Sequence, residues 1–323
     1  MNILLTGSSG YIGARLAPLL RDLGHRVVGL DRVSNDTVEL DLFHQTDIND
    51  LGNDLHVFDG IDMIMHLAAA KGDWGISADE FYQDNLYATQ RLVEDGTKAG
   101  IKKWLFYSTV AVLGPSDERI SESAPYSPVI PYGASKSDCE KIFAALCESD
   151  AAQEVLILRP SAVFGIDNPP STNIFRLIDA VKNGRMIMIG DGKVLKTTSY
   201  IENLLAATLF LNDRIEPGLG IYHYVDEPIQ STGELVQAVY DGLEKTRPKW
   251  YLPLFVAYPL AFVLDVISAL VKKDLPITAA RIKKFCTATV FDSSSIRELG
   301  FRQPVDNKKA IATTIKWHLK SRN

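Results

Sequence analysis

The chain has 323 residues, of which 46% are hydrophobic and 23% are charged, and this composition is typical of a folded globular protein. Its 34 lysines and arginines against 40 acidic residues give a net charge of -6, and no basic run is long enough to follow a phosphate backbone. Nucleic acid is therefore excluded as an expected partner. Three cysteines without a Cys-x-x-Cys pair predict neither a disulfide framework nor a metal site.

Short apolar runs rich in β-forming residues alternate with helix-length segments in the first half of the chain. The predicted strands are 2–6, 26–30, 62–68, 102–108 and 154–159, and helical spacing covers 11–23, 78–99 and 131–149. This alternation predicts an α/β protein with a Rossmann-type, doubly wound parallel sheet. We expect one domain over 1–165, its sheet completed by segments near 196–225, and a smaller C-terminal region over 166–323.

The chain enters its first predicted strand at once, as "MNILLT", without the pattern of a signal peptide, and we expect a cytoplasmic protein. The strand is followed directly by "TGSSGYIG", in which Gly7, Gly10 and Gly13 lead into a helix. Glycines at such a turn let the backbone approach a pyrophosphate, and the helix N-terminus supplies oriented N–H groups. The spacing differs from the commoner G-x-G-x-x-G pattern, so its place between strand and helix carries the prediction of a dinucleotide site.

The second predicted strand ends in "VVGLDR", where Asp31 lies 18 residues beyond Gly13. A carboxylate at this place accepts hydrogen bonds from a ribose diol and repels a 2′-phosphate, which favours NAD. Arg32 beside it would attract that phosphate, so NADP stays open as the second cofactor. The alternative interpretation of Asp31 is a turn residue at a strand end.

The fourth predicted strand ends in "FYSTVAVLG", which places Ser108 and Thr109 at its carboxyl end, where parallel sheets bind ligands. The next helix begins with "YGASK", and Tyr132 and Lys136 share one face of it at i and i+4. An adjacent ammonium and a cationic nicotinamide ring would both favour the tyrosine phenolate, which then exchanges a proton with substrate. The alternative is a chance pair on an amphipathic helix face.

The segment 250–271, "WYLPLFVAYPLAFVLDVISALV", is long and apolar enough to raise the question of a membrane span. Pro253, Pro259 and Asp265 make it a poor bilayer helix. We expect a helix in the core or the substrate-binding region and no membrane contact. Contact with a membrane surface is the alternative.

Motifs distributed over nearly the whole chain resemble one family. "TGSSGYIG", "HLAAAK" at 66–71, "STVAVLG", "YGASK" and "RPSAVFG" at 159–165 are similar in order and spacing to those of the extended short-chain dehydrogenase/reductases, the nucleotide-sugar epimerase/dehydratase group. The resemblance implies that Thr109, Tyr132 and Lys136 are catalytic. It also implies a homodimer that binds NAD, with 1–165 as the NAD(P)-binding domain.

The resemblance further implies a set of cofactor contacts. Asp41 and Leu42 would lie near adenine, Lys71 near the pyrophosphate or nicotinamide ribose, and Asn85 would support the bound cofactor. His66 is expected to be a packed residue that serves hydrogen bonds. The full predicted set is Gly7, Gly10, Tyr11, Ile12, Gly13, Asp31, Arg32, Asp41, Leu42, Leu67, Ala68, Ala69, Lys71, Asn85, Ser108, Tyr132, Lys136, Pro160, Ala162 and Val163.

The residues after Thr109 bear on the reaction. The 4,6-dehydratases of this family carry an Asp-Glu pair there for eliminating water, whereas this chain has Val110 and Ala111. The resemblance therefore implies hydride transfer at C4 of a nucleotide sugar, either as a 4-epimerase or as a 4-ketoreductase. Substrates would be UDP-linked N-acetylhexosamines or their 4-keto-6-deoxy forms, in the synthesis of surface polysaccharide precursors.

Substrate contacts are also implied by resemblance. Thr109 would bind the reacting oxygen, Asn173 the diphosphate or uridine, and Arg281 a phosphate. The family commonly has an arginine just before the "YI" of "SYIENL", but this chain has Thr198 there and Lys196 nearby.

Two alternatives remain open. "TSYIENLLAA", "YHYVDEPI" and the apolar segment 250–271 also resemble 3β-hydroxysteroid dehydrogenases, which implies an apolar alcohol as substrate with the same catalytic residues. The second alternative is a cofactor-binding protein without catalytic activity.

Overall fold

A computed structural model describes residues 1–51, 55–71, 76–169, 172–271 and 279–321, with the backbone alone at 55, 263–271, 280, 281 and 284. The strands are β1 (Asn2–Thr6), β2 (Arg26–Asp31), β3 (Leu42–Gln45), β4 (Met63–His66), β5 (Lys103–Tyr107), β6 (Ser116–Ile120), β7 (Glu154–Pro160), β8 (Ala162–Phe164), β9 (Leu195–Lys196), β10 (Thr198–Tyr200), β11 (Gly218–Tyr224), β12 (Gln230–Ser231) and β13 (Thr289–Phe291).

The helices follow the strands in alternation through most of the chain. They are α1 (Gly13–Asp22), α2 (Ala78–Phe81), α3 (Ala88–Lys98), α4 (Pro131–Ser149), α5 (Asn173–Lys182), α6 (Ile201–Asn212), α7 (Thr232–Gly242), α8 (Leu254–Val271), α9 (Ala279–Cys286), α10 (Ser294–Glu298) and α11 (Asn307–Ser321). A π-helical turn over Tyr82–Tyr87 joins α2 to α3, and a 3₁₀ turn over Val110–Val112 follows β5.

Seven parallel strands form the central sheet in the order β11-β7-β5-β4-β1-β2-β3. The strand order reverses between β1 and β4, so the loops after these two strands diverge and leave a crevice at their carboxyl ends. The predicted Rossmann-type sheet is therefore confirmed. The crevice between β1 and β4 is the place where a ligand of such a sheet binds.

Hydrophobic side chains pack on both faces of this sheet. Leu5 faces Leu16 of α1 together with side chains from α5, α6, α7 and α11. Its neighbour Leu4 points to the opposite face, where it joins Leu92 of α3 and Phe143 of α4. The strands are covered on both sides, which explains why they read as nearly continuous apolar runs in the sequence.

The region after Gly165 contributes to the central sheet as well as to smaller ones. β11 pairs with β7 along its whole length, from Gly218 to Tyr224. β10 pairs with β8, while β12, β9, β13 and β6 form a separate four-stranded sheet. The two sequence regions are thus interleaved, because strands of the later region complete sheets that the earlier region begins.

The first half of the apolar helix α8 does not lie in the core, which was one of the two places that the sequence predicted. Between Leu254 and Phe262, a stretch that the structure describes completely, only Ala257 and Ala261 are buried. Phe255 and Phe262 are 79% and 67% exposed. The core prediction is wrong for this stretch, because it packs on the protein through a narrow alanine strip and not through its large side chains. A place in the substrate-binding region stays a prediction. Among the described residues, no helix is long and apolar enough to cross a membrane.

Candidate active site

The glycine turn after β1 packs directly against the loop that follows β4. Gly7 has φ +70°, and a Cβ atom there would lie 2.7 Å from the Ala68 nitrogen, so only glycine fits this turn without strain. The Gly10 amide donates to the Gly7 carbonyl at 3.0 Å and closes the turn. Leu67 and Ala68 are tied to the end of β1, because their amides donate to the Thr6 carbonyl and hydroxyl.

The start of α1 offers free N–H groups to an anion. Helix α1 begins at Gly13 with no side-chain cap and no acidic residue in its first turn. Among the described residues, the amides of Tyr11 and Ile12 have no acceptor. Unpaired amides at a helix N-terminus beside a tight glycine turn fit a pyrophosphate. The phenol of Tyr11 itself is used elsewhere, since it donates to the Ile166 carbonyl at 3.0 Å.

Asp31 and Arg32 at the end of β2 have different surroundings. The Asp31 carboxylate accepts from the amides of Ser9 at 3.1 Å and Val33 at 3.2 Å, which holds it against the glycine turn. Arg32 reaches away to two carboxylates, Asp84 at 2.9 Å and Asp47 at 3.4 Å. Because these carboxylates neutralise Arg32, the arrangement fits the ribose diol of NAD better than a 2′-phosphate.

The predicted adenine contacts of Asp41 and Leu42 are wrong. Leu42 pairs with Val28 near the amino end of β2, and the Asp41 carboxylate accepts from the Val27 amide at 2.8 Å. Both residues therefore lie at the amino end of β3, whereas the cofactor crevice lies at the carboxyl ends of the strands.

Asp47 and Ile48 follow the carboxyl end of β3, which is the end of the strand where we expect the adenine of a bound cofactor to lie. The Thr46 amide donates to the Asp31 carbonyl, and Asp47 caps the 3₁₀ turn that starts at Ile48. The run "LFHQTDIND" carried the signal: a short apolar strand followed by a helix-capping aspartate. Because β3 was not among the predicted strands, Asp47 could not be recognised as a residue at the end of a strand.

Asn85 connects the loop after β4 to the start of α4. It is buried in the π-helical turn, and its side-chain oxygen accepts from the Ala70 amide at 2.7 Å. Its side-chain nitrogen donates to the Ala70 carbonyl at 3.2 Å and to the Ser135 hydroxyl at 2.9 Å. Ser135 in turn donates to the Tyr132 carbonyl at 3.0 Å. Asn85 thereby fixes the position of the Tyr132 backbone relative to the cofactor crevice.

Tyr132 and Lys136 lie on the first turns of α4, which starts at Pro131. Tyr132 is half-buried, and within the described residues its hydroxyl has no hydrogen-bond partner. Lys136 is 1% exposed, and its ammonium lies 3.9 Å from the centre of the Phe106 ring. No hydrogen-bond acceptor for this ammonium occurs in the described part of the chain. A buried ammonium without an acceptor fits a ligand hydroxyl pair such as a ribose.

The acid–base properties of the pair differ from the sequence prediction. Burial, together with a smaller effect of Cys139, raises the pKa of Tyr132 to about 12. Burial lowers the pKa of Lys136 to about 8, while Cys139 and Glu140 act against that shift. The predicted lowering of the Tyr132 pKa by Lys136 is therefore absent from the chain alone, where burial of the hydroxyl raises this pKa.

Thr109 lies directly before a 3₁₀ turn that packs unusually closely on α4. Its hydroxyl accepts from the Ala111 amide at 3.2 Å and caps the 3₁₀ turn over Val110–Val112. This turn packs on Gly133, where a Cβ atom would lie 2.5 Å from the Ala111 carbonyl oxygen. Gly133 therefore lets the segment after Thr109 approach the residue next to Tyr132. Sequence analysis did not single out Gly133, although it lies within "YGASK".

Ser108 has a different role from the one predicted. Its hydroxyl donates to the buried Glu140 carboxylate, and its amide donates to the Leu158 carbonyl. Glu140 also forms a two-pronged ion pair with the buried Arg159, with contacts of 3.0 and 2.6 Å. The cofactor assignment of the Ser108 side chain is therefore corrected. Its hydroxyl is hydrogen-bonded inside the protein to Glu140, which lies one helical turn after Lys136.

The remaining predicted residues lie in two loops and several elements. Ala69 and the exposed Lys71 follow β4, and Pro160 ends β7 beside the end of β5. Ala162 and Val163 lie in β8, of which Ala162 is exposed. Their cofactor contacts stay predictions. His66 bonds Thr6 at 2.7 Å and Thr89 at 3.0 Å, which confirms it as a buried, hydrogen-bonded residue.

The predicted substrate-binding residues other than Thr109 lie in three elements. Asn173 is exposed at the start of α5, and Lys196 of β9 donates to the Thr287 carbonyl. Arg281 lies in α9, and its side chain is outside the described residues. Their contacts with substrate stay predictions.

Known proteins resemble this chain over its full length. The sequence pattern of the NAD dependent epimerase/dehydratase family matches residues 3–224. An N-acetyl-alpha-D-glucosaminyl-diphospho-ditrans,octacis-undecaprenol 4-epimerase of Escherichia coli O157:H7 is 28% identical and covers 98% of this chain and 95% of its own length. A mouse sterol-4-alpha-carboxylate 3-dehydrogenase, decarboxylating, is 27% identical, with 96% and 88% covered.

A solved structure also resembles this chain over its full length. MoeE5 in complex with UDP-glucose and NAD superposes with a TM-score of 0.79 at 26% identity, covering both chains completely. The family pattern, the strand order and the glycine turn thus indicate the same family. The chain belongs to the NAD dependent epimerase/dehydratase family and is an NAD-dependent enzyme of the extended short-chain dehydrogenase/reductase type.

Proposed function

We propose that the chain is a 4-epimerase of an N-acetylhexosamine carried on a diphosphate. When bound, NAD would supply the hydride acceptor for oxidation at C4, the hydride donor for the return to the opposite face, and a positive charge that favours the Tyr132 phenolate. Tyr132 takes the proton of the C4 hydroxyl and gives it back in the return step. Thr109 hydrogen-bonds the C4 oxygen, and Lys136 binds the nicotinamide ribose.

The observation that carries this proposal is the composition of the site around Thr109. Tyr132 and Lys136 lie on the first turns of α4, the helix that Gly133 allows to pack closely on the turn after Thr109. That turn presents Val110 and Ala111, which cannot exchange protons. One proton-transfer group suffices for moving a hydride and a proton at a single carbon, whereas eliminating water needs a separate acid and base.

The diphosphate and sugar parts of the proposal rest on similarity and on one cavity. The Escherichia coli relative acts on a diphosphate-linked N-acetylglucosamine whose carrier is a polyprenol, while MoeE5 binds UDP-glucose. A cavity of about 290 Å³ in this chain is bordered by Tyr251, Pro253, Leu254 and Phe285. Its mainly apolar wall supports a polyprenyl carrier beside the UDP carrier. We place the reaction in the synthesis of surface polysaccharide precursors, with a homodimer as the working assembly.

The test offers the purified enzyme UDP-GlcNAc and polyprenyl-diphosphate GlcNAc in separate reactions. An epimerase inverts C4, seen by NMR, without a net change in absorbance of the dinucleotide. A 4-ketoreductase would instead leave both compounds unchanged and consume reduced cofactor with a 4-keto-6-deoxy sugar. Inversion of only one compound identifies the carrier. Inversion of neither compound contradicts the proposal.

A second candidate is a dehydrogenase of an apolar alcohol. The mouse sterol-4-alpha-carboxylate 3-dehydrogenase matches nearly the whole chain, and α8 exposes large apolar side chains. Such an enzyme would reduce NAD stoichiometrically with a 3β-hydroxysteroid. Steady NADH formation with a sterol and no inversion of either sugar would favour this candidate.

A further inference from the structure

We propose that the exposed part of α8 and the residues just before it dock on an anionic lipid bilayer. The surface concerned, which we name the apolar face, consists of six side chains: Trp250, Tyr251, Leu254, Phe255, Tyr258 and Phe262. All six are exposed, and Trp250, Phe255 and Phe262 are 59%, 79% and 67% exposed. Contiguous apolar surface of this kind marks an interaction site on a folded protein.

The apolar face exists because α8 contacts the protein through very small residues. Ala257 and Ala261 are buried against Ile282 of α9, at positions one helical turn apart. Phe255, Tyr258 and Phe262 follow one another at helical spacing, so they form a continuous stripe. A helix that is apolar on all sides is normally covered on all sides. Between Leu254 and Phe262, only the alanine strip is covered by the described residues.

The chemistry of the surrounding residues favours a bilayer surface as the occupant. The sequence from Trp250 to Phe262 contains no charged residue, while Lys249 directly before it is exposed. Lys283 is also exposed, next to the Ile282 that packs on the alanine strip. Tryptophan and tyrosine at one end of an apolar helix, with lysines at its margin, are typical of helices that lie at the boundary of headgroups and acyl chains.

The proline inside α8 favours a position on the surface over one across the bilayer. Pro259 lies inside α8 and removes one backbone donor. Exposed lysines add attraction to anionic headgroups, which is strongest close to the surface. The docking proposal does not depend on the proposed reaction, since lipid binding is measured without turnover.

The experiment is sedimentation of the full chain with vesicles made of equal parts of phosphatidylglycerol and phosphatidylcholine. The test variant is Phe255→Ser with Phe262→Ser. The matched control is Leu23→Ser with Val129→Ser, two exposed apolar residues outside the apolar face. We expect wild type and control to sediment with the vesicles, and the test variant to partition at least about tenfold more weakly. Equal thermal melting of all three proteins verifies folding.

A second measurement is independent of these variants. The fluorescence of Trp250 should shift to shorter wavelength when vesicles are added, and the shift should be absent in Trp250→Phe. Wild type that stays in the supernatant, or a test variant that sediments as well as wild type, overturns the proposal. A dimer that the test variant dissociates, without any vesicle binding, also overturns it and identifies a second copy of the chain as the occupant.

Discussion

At the scale of single residues, the site combines a buried lysine with a phenol whose ionisation is suppressed. The Lys136 ammonium packs on the Phe106 ring and not on a carboxylate, and burial lowers its pKa to about 8. The Tyr132 pKa is raised to about 12. The chain alone therefore keeps Tyr132 protonated at neutral pH, and we expect the proposed proton transfer to depend on the charge of bound NAD.

The buried ammonium should cost the protein stability at neutral pH. The pKa of Lys136 falls from 10.5 unfolded to about 8 folded, so the unfolded chain binds more protons between these values, and wild-type stability rises with pH across that interval. Each pKa unit corresponds to about 1.4 kcal/mol, which gives a cost of about 3 kcal/mol below pH 8. Lys136→Met should raise the free energy of unfolding at pH 7, measured in urea, and lose this advantage near pH 10.5. An advantage that does not change with pH would contradict the assignment.

The choice of cofactor should depend on the carboxylates around Arg32. Asp31→Ala should relax the preference for NAD, because the repulsion of a 2′-phosphate disappears. Adding Asp84→Ala releases Arg32 from its 2.9 Å ion pair and should strengthen NADP binding further, by roughly tenfold in the ratio of dissociation constants. Calorimetric titration of protein freed of cofactor measures both constants. An unchanged ratio in the double variant would show that Arg32 does not reach the ribose.

At the scale of elements, the site depends on how closely the turn over Val110–Val112 packs on α4. The contact is possible because Gly133 has no side chain opposite the Ala111 carbonyl. Asn85 fixes the same helix start from the other side through Ser135. Three separate elements therefore determine where the Tyr132 hydroxyl and Thr109 lie.

Gly133→Ala tests this packing. Alanine is the better helix former by about 1 kcal/mol, but its Cβ would lie 2.5 Å from a backbone oxygen, and overpacking costs about 1–3 kcal/mol. We expect a lower melting temperature and a loss of turnover larger than the loss of NAD affinity. The control is Ala145→Leu, which adds bulk at an exposed position of the same helix. Gain of stability in Gly133→Ala would contradict the close approach.

The sequence predicted the strands and helices that carry strong periodicity, and it missed features set by packing. The five predicted strands and the glycine turn were found, because apolar runs and turn residues are local signals. β3 is short and only partly buried, so it was not among the predicted strands. The adenine contact was therefore assigned to Asp41, before this strand, and not to Asp47, after it. The π-helical turn around Asn85 and the engagement of Ser108 with Glu140 depend on contacts between distant segments, which periodicity does not encode.

At the scale of the whole molecule, the region after residue 165 completes the central sheet, so we expect the predicted boundary not to separate independently folding units. β11 completes the central sheet from the later region, and α6 and α11 cover one face of that sheet. Part of the core that supports the glycine turn therefore comes from the last third of the chain.

A truncated chain tests this interleaving. The fragment 1–165 lacks β11, α6 and α11, so we expect no cooperative thermal transition and no NAD binding by it. The full chain should unfold in one transition, followed by circular dichroism. A fragment that melts cooperatively and binds NAD would show that the boundary at 165 separates an autonomous domain.

In the proposed reaction, Tyr132 transfers the proton during inversion at C4. The most direct measurement is the rate of C4 inversion by Tyr132→Phe, compared with wild type and with Tyr87→Phe, a control at an exposed tyrosine. We predict a loss of about 10²- to 10⁴-fold for Tyr132→Phe, with NAD still bound, and near wild-type rates for the control. Inversion by Tyr132→Phe at the wild-type rate would contradict proton transfer by Tyr132.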